Sequence, residues 1–318
     1  MNQKGIVLTG LIYALFTFFL LLLISLLTVL WYRQNMLNNL GNDANNIYDE
    51  PYIASMPLPS RFTLGAGSGG YYLYKNNSNY FVGLNPNNWI QLGTIGGNLI
   101  MWRAVKSDAA GIKLVYEGVK NGALAPTANG RITYASNQYV AWDDNNSNIW
   151  DNSNSNIKYK LDVWYATLSG VSEYIQPVNW CVGAVGEDPI LSDFQEEECL
   201  SRSTPAGVFQ GYSGRSAVGL INPSDYISTS ASTICNTWGQ VTCGTEGNFL
   251  AKVGQYSFWT LNALNLPSNV WIVSSDGSLT PGSANNSSTI SIRPVINLSK
   301  DVLWNSGTGT LASPYTIK

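Results

Sequence analysis

Between Lys4 and Arg33 the chain reads IVLTGLIYALFTFFLLLLISLLTVLWY, from Ile6 to Tyr32, without one charged side chain. As a helix rising ~1.5 Å per residue, this stretch exceeds the ~30 Å hydrocarbon core of a bilayer, so its length predicts a single tilted crossing. Trp31 and Tyr32 fall where aromatic side chains collect at a membrane interface. A cleavable secretory signal is the competing reading, but its apolar region normally runs ~7–15 residues and ends at a small-residue site. Neither feature is present. Lys4 on one flank, and Asp43, Asp49 and Glu50 beyond Arg33 on the other, favour an inside N-terminus, which puts the remainder outside the cell. Met36, Leu37 and Leu40 continue the helical spacing to residue 42. Residues 43–70 read as a linker containing Pro51, Pro57, Pro59 and the run GAGSGG. No Lys-Ser/Thr pair follows those glycines, so they are a turn and not a phosphate loop.

An exported location frames the remaining composition. Only 12% of the 318 residues are charged, and Asn, Ser, Thr and Gly supply most of the polarity, the profile of an extracellular β-rich protein. A net charge of −3 and the lack of a basic run argue against nucleic acid as a partner. Cys181, Cys199, Cys235 and Cys243 form an even set without a C-x-x-C pair, so two disulfides are expected in place of a metal site. Three pairings are open. Cys181 with Cys199 and Cys235 with Cys243 close the shortest loops. The chain has no histidine, which removes Ser-His-Asp and Cys-His nucleophile activation, H-E-x-x-H zinc sites and the commonest general base. An enzyme would have to work with carboxylates or lysine, and the reading is of a protein that is not an enzyme and needs no cofactor.

From Tyr71 the pattern turns to strands. YYLYKNNSNYFVGLNPNNWIQLG suits a hairpin around Asn76-Asn77-Ser78, and LIMWRAVKSDAAGIKLVYEG repeats the form around Ala109 to Gly111. Ile157, Leu161, Trp164 and Leu168 recur at steps of three or four, which predicts an amphipathic helix within Ser153 to Leu168. AVGLI at Ala217 to Ile221 reads as a buried strand, and Pro223-Ser224-Asp225 as the cap of a short helix or turn. YSFWTLNAL, NVWIVSSDGSLT with its Asp276-Gly277 turn, and SIRPVINLS return to strands. Long cysteine-bearing loops occupy Trp180 to Cys199 and Ser228 to Gly247.

Two resemblances attach to these segments. MNQKGIVLTGLIYALF resembles a type IV prepilin start, with residues 1–5 as leader, cleavage between Gly5 and Ile6, and a helix over 6–42 that bundles in a filament. Pilins usually carry Glu at the fifth mature position, and this chain has Gly10 there, which the resemblance turns into a helix-packing contact with copies of itself or with other pilin-like subunits. The set MWRAVK, IKLVYEG, AVGLINPSDY, FWTLNAL, VWIVSSDGSL, SIRPVINL and GTGTLASPYTI resembles a group of bacterial surface domains. That group is similar to formylglycine-generating enzymes and C-type-lectin-like modules. It implies an α+β fold over residues 71–318, with one main helix and long disulfide-pinned loops.

Candidate site residues come from the irregular, polar segments. Sugars stack on aromatic faces while Asn and Asp bond their hydroxyls, so Trp142, Trp150, Tyr212 and Trp238 are candidate glycan contacts, with core packing as the alternative. Trp102, Trp259 and Trp271 sit in strand patterns and are assigned to the core. Asp143, Asp144 and Asp151 offer oxygens to a cation, although the glycine and the final Glu of an EF-hand loop are absent. The resulting expectation is a long N-terminal hydrophobic helix carrying an extracellular β-rich, lectin-like domain for binding or adhesion. A surface enzyme using carboxylates and a purely structural filament subunit are the alternatives.

Overall fold

A computed structural model describes residues 71–75, 78–108, 111–120, 130–145, 150–153, 155–182, 202–204, 207–209, 212–231, 247–264 and 268–318, with backbone alone at 71–79, Cys181 and 202–214. The chain divides into two units, Met1–Pro51 and Tyr52–Lys318, and every described residue belongs to the second.

The described part opens with a hairpin of β1 (Tyr71–Lys75) and β2 (Ser78–Val82), followed by the meander β3 (Trp89–Ile95), β4 (Asn98–Asp108) and β5 (Gly111–Val119). Helix α1 (Ile157–Tyr165) comes next, then β6 (Leu168–Ser169), β7 (Val178–Cys181), β8 (Arg202–Thr204), β9 (Gly207–Phe209), β10 (Tyr212–Ser216) and β11 (Val218–Gly219). Helix α2 (Pro223–Ser228) leads to β12 (Ser257–Ala263), β13 (Asn269–Val273), β14 (Leu279–Ser283), β15 (Ile290–Ser291), β16 (Val295–Leu298), β17 (Trp304–Ser306) and β18 (Tyr315–Ile317). The larger sheet runs β11-β16-β5-β4-β3-β18-β17, with β2 also on β4, β1 on β2 and β6 on β3. A second sheet runs β14-β13-β12-β15, and β10-β7 and β8-β9 are separate pairs.

This architecture corrects the expected α+β fold class. The described residues are mostly β, with two helices of nine and six residues, and no helix among them is long and apolar enough to cross a membrane. Residues 6–32, on which the long hydrophobic helix is expected, lie outside the described residues. The physical reason for the short α1 is local. Thr167 Oγ1 donates to the Trp164 carbonyl at 2.6 Å as the helix closes, and Leu168 then joins β6 opposite Ile95 instead of extending the apolar stripe. Asn156 precedes the helix in extended backbone, after a segment whose side chains are committed to turns.

β4 is buried from Ile100 to Lys106 and β5 from Gly111 to Gly118, because both faces of this hairpin are covered. On one face Trp102, Tyr116 and Trp164 of α1 meet edge to face at centroid separations of 5.2–6.3 Å, the geometry that ring quadrupoles favour. Trp102 Nε1 donates to the Leu92 carbonyl at 2.9 Å, so its one polar atom is satisfied inside the core. In the second sheet Trp259 donates to the Val140 carbonyl at 2.7 Å, and Trp102, Trp259 and Trp271 are all essentially inaccessible. The β4–β5 turn closes through Gly111, with φ +125°. A Cβ there would stand 1.8 Å from the Leu298 carbonyl oxygen of β16's last residue, so the close approach of these strands requires glycine.

Candidate functional site

The second face of β4 and β5 carries the charge. In β5, Lys113, Val115 and Glu117 alternate with Leu114 and Tyr116, which places the two charged residues opposite the aromatic face. In β4, Arg103 lies across from Val115, and a register break between Ala104 and Lys106 moves Lys106 off the Ala104 side to stand opposite Lys113. Two lysines directly opposed in a sheet repel. Both are buried, at 3% and 4% exposure, so a carboxylate is needed between them. Asp225, in the first turn of α2 and fully buried, supplies it. Its Oδ2 lies 2.5 Å from Lys113 Nζ, and its Oδ1 lies 3.3 Å from Lys106 Nζ and accepts from Tyr80 Oη at 3.0 Å. Asp108, nearer the surface, is 3.4 Å from Lys106. Asn222, which precedes α2 in extended backbone, accepts from Lys113 Nζ through Oδ1 at 3.2 Å. Its Nδ2 donates to Asn262 Oδ1 at 3.0 Å, which fixes the orientation of the amide.

Along the same face lies a second ionic group. Glu117 binds Arg293 through Oε1 and Lys252 through Oε2, the latter at 2.7 Å. Arg293 is fully buried, donates from Nη1 to the Leu250 carbonyl at 2.6 Å and packs over Phe258, while its Nε has no hydrogen-bond partner among the described residues. Gly130, at φ +76°, passes close over the pair, where a Cβ would lie 3.2 Å from both Glu117 Oε2 and Arg293 Nε. Burial would raise the Glu117 pKa, but the opposing pull of Arg293, Lys252 and Arg103 holds it below the ordinary carboxylate value. Lys252 moves to about 8, because burial and the neighbouring Arg293 and Arg103 outweigh its share of Glu117. One carboxylate serving two cations explains why Glu117 gains from the arrangement while Lys252 bears its cost. Arg103 itself is clasped between Trp89 and Phe249, at 4.4 and 4.6 Å from their ring centroids, and its Nε donates to Asn88. Burial lowers its pKa to about 10.

The residues singled out by sequence fall elsewhere. Trp142 and Trp150 are buried, packed against each other with ring centroids 5.7 Å apart and planes tilted by 48°, and Trp142 donates to the Thr260 carbonyl at 3.2 Å. Neither ring offers a face to a sugar, which is a correction to their reading as ligand contacts. Asp143, Asp144 and Asp151 do not converge. Asp143 is buried and accepts from the Asn145 amide at 2.9 Å, Asp144 is exposed 3.7 Å from Lys160, and Asp151 caps Ser153 and Asn156. The backbone hydrogen bond from Ser153 is the largest influence on Asp151, whose pKa is lowered. Among the described residues no three Cys, Asp or Glu side chains gather as a metal-binding group. Tyr212 lies in β10 with only its backbone described, as does Cys181 at the end of β7. Trp238, Cys199, Cys235 and Cys243 lie outside the described residues, as do Gly5, Ile6 and Gly10, so the disulfide and leader expectations fall there too.

Sequence reading missed the ionic face altogether. Its signal was present in β5, where Lys113 and Glu117 occupy one side of a strand whose other side is apolar. That pattern ordinarily marks a solvent-facing side, and only the second layer formed by α2, Phe249, Lys252 and Arg293 buries it.

No family model, no curated protein and no solved structure matches the chain.

Proposed function

We propose that the chain is a surface-displayed binding protein, held at the cell membrane by the apolar stretch of residues 6–32, whose folded part contacts neutral, hydroxyl-rich ligands such as glycans. One observation carries this reading: much of the charge is buried, while the exposed positions are rich in hydroxyls and amides. Among the described residues nine charged side chains are buried, namely Arg103, Lys106, Lys113, Glu117, Asp143, Lys158, Lys160, Asp225 and Arg293. Among the described residues the exposed positions are rich in Asn, Ser and Thr, as at Ser283, Asn285, Ser287, Ser288 and Thr289 and again at Asn305, Ser306 and Thr308. Several of these are braced by short hydrogen bonds, including Ser283 to Asn285 at 2.8 Å and Ser306 to Thr316 at 2.8 Å. A surface of oriented hydroxyls and amides with little net field suits neutral polar polymers, and gives little electrostatic steering toward charged ones.

The same burial weighs against an enzyme that acts on an external substrate through Glu117. Glu117 is held by two cations with its pKa lowered, so it does not stand ready as a general acid. Assembly with pilin-like subunits through the stretch that follows Gly5 is compatible with this role, because a filament would carry the binding part away from the cell. The test is a glycan array probed with the full-length protein in detergent at low and high salt. Binding to neutral glycans that changes little with ionic strength supports the reading. Binding confined to charged glycans and lost in salt contradicts it.

A further inference from the structure

We infer that Lys113 and Asn222 join, in the folded protein and without another enzyme, to form an intramolecular isopeptide bond, with Asp225 as the proton-transferring catalyst. Three requirements of such a reaction meet at this point: an amine, a carboxamide and a carboxyl group, all buried together. Lys113 Nζ is 3.2 Å from Asn222 Oδ1, the oxygen on the carbon to be attacked, and 2.5 Å from Asp225 Oδ2. The three residues are 4%, 1% and 0% exposed, so water is kept from competing with the amine. Asn262, accepting from Asn222 Nδ2 at 3.0 Å, holds the amide with its carbonyl toward the lysine. Reactants fixed in this way react as though at very high concentration. The Trp180 ring, 5.7 Å from Lys113 Nζ, walls the site.

The step balances without an oxidant or a co-reactant. Asp225 Oδ2 takes a proton from the Lys113 ammonium, and the neutral Nζ attacks Asn222 Cγ. The Nζ–Cγ bond forms, Asp225 passes its proton to Nδ2, the Cγ–Nδ2 bond breaks, and Asp225 takes the second proton that Nζ must shed and yields it to the departing ammonia. The nitrogen departs as ammonia and leaves the protein as ammonium, carrying away the charge that lysine brought. The groups facing this centre favour that outcome. Before reaction Lys106 and Lys113 share Asp225, with Asp108 on the outer side of Lys106 and Tyr80 Oη on Asp225 Oδ1. After it, the repulsion between the two facing lysines is gone and Lys106 keeps Asp225 to itself. The new bond would tie the central strand β5 to the start of α2, residues far apart in sequence, which suits a protein that carries load at a cell surface.

Mass spectrometry of the full-length protein, reduced and denatured, tests the inference. The wild-type chain should be lighter by one ammonia than its sequence requires, and its digest should contain a branched peptide linking Lys113 to Asn222, with cleavage after Lys113 blocked. Lys113→Arg, Asn222→Ala and Asp225→Ala should each lack the branched peptide. A wild-type digest that yields linear peptides cleaved after Lys113, with Asn222 intact, overturns the inference whatever the variants do. A branched peptide that persists in full yield in Asp225→Ala would overturn the role given to Asp225.

Discussion

Changing Glu117 to Gln tests whether the buried ionic face is a device of folding. Glu117 is 4% exposed and is the carboxylate partner of Arg293, which is 0% exposed, and of Lys252. Glutamine keeps the volume and one acceptor oxygen but removes the charge, so buried Arg293 and part-buried Lys252 are left without their carboxylate, with Arg103 nearby. Breaking a buried ion pair by removing one partner costs about 3–5 kcal/mol, since the remaining charge is desolvated and uncompensated. That is a large part of the ~5–15 kcal/mol that holds a typical domain together. With a urea dependence of ~2 kcal/mol per molar, the unfolding midpoint should fall by roughly 2 M. Tryptophan fluorescence of the full-length protein in detergent follows the transition, since Trp102, Trp259 and Trp271 all leave the core on unfolding. Adding Arg293→Met should restore part of the loss, because the orphaned cation is then gone, and the coupling in the double-mutant cycle should be ~0.5–3 kcal/mol. A Glu117→Gln midpoint within experimental error of wild type would mean that the charge of Glu117 does not hold the fold.

Three further outcomes are expected. Stability should fall as pH drops through the ordinary carboxylate value of 4.5, because Glu117 titrates lower when folded and the unfolded chain then binds more protons. By the same relation Lys252, at about 8 when folded against 10.5, should make stability rise between those values, and Tyr116 and Tyr256, pushed up to about 12 by burial, should make it fall above 10. Lys252→Met should abolish the alkaline rise, and a wild-type profile that falls steadily from pH 8 would contradict the assignment. Ala135 and Ser136 form a two-residue turn between Tyr134 and Asn137 with φ of 48° and 70°, which side chains disfavour, so Ala135→Asn with Ser136→Gly should stabilise by about 1 kcal/mol in thermal melts. Trp164→Ala removes one ring of the aromatic trio under β4 and β5 and should cost about 3–5 kcal/mol in urea, whereas Val163→Ala, 42% exposed on the same helix, should cost little.

Regular backbone was legible in the sequence because its periodicity is. The antiparallel pairs β1–β2 and β4–β5, a helix over Ile157–Tyr165 that stops short of Leu168, the turn at Asp276-Gly277 and the helix after Asn222 stand where alternation, helical spacing and Pro223 placed them. Trp102, Trp259 and Trp271 are core for the same reason. Trp142 and Trp150 show where that logic fails. Their neighbours Asp143, Asn145, Asp151 and Asn156 are polar because they satisfy one another and the backbone in turns, which frees the indoles to insert into the core. Irregular backbone has no period to reveal which way a side chain points. The ionic face was hidden for a different reason: Lys113 is separated in sequence from Asp225, and Glu117 from Arg293, by more than a hundred residues, so no local pattern marks them as partners.

The most direct test of the account is where residues 71–318 sit in a living cell. Intact cells making the full-length chain are treated with a protease that cannot enter them, and the membrane fraction is then washed at high pH. The folded part should be shaved or surface-labelled on intact cells, while the N-terminal fragment stays in the washed membrane. Protection of residues 71–318 in intact cells, with cleavage only after lysis, would contradict it.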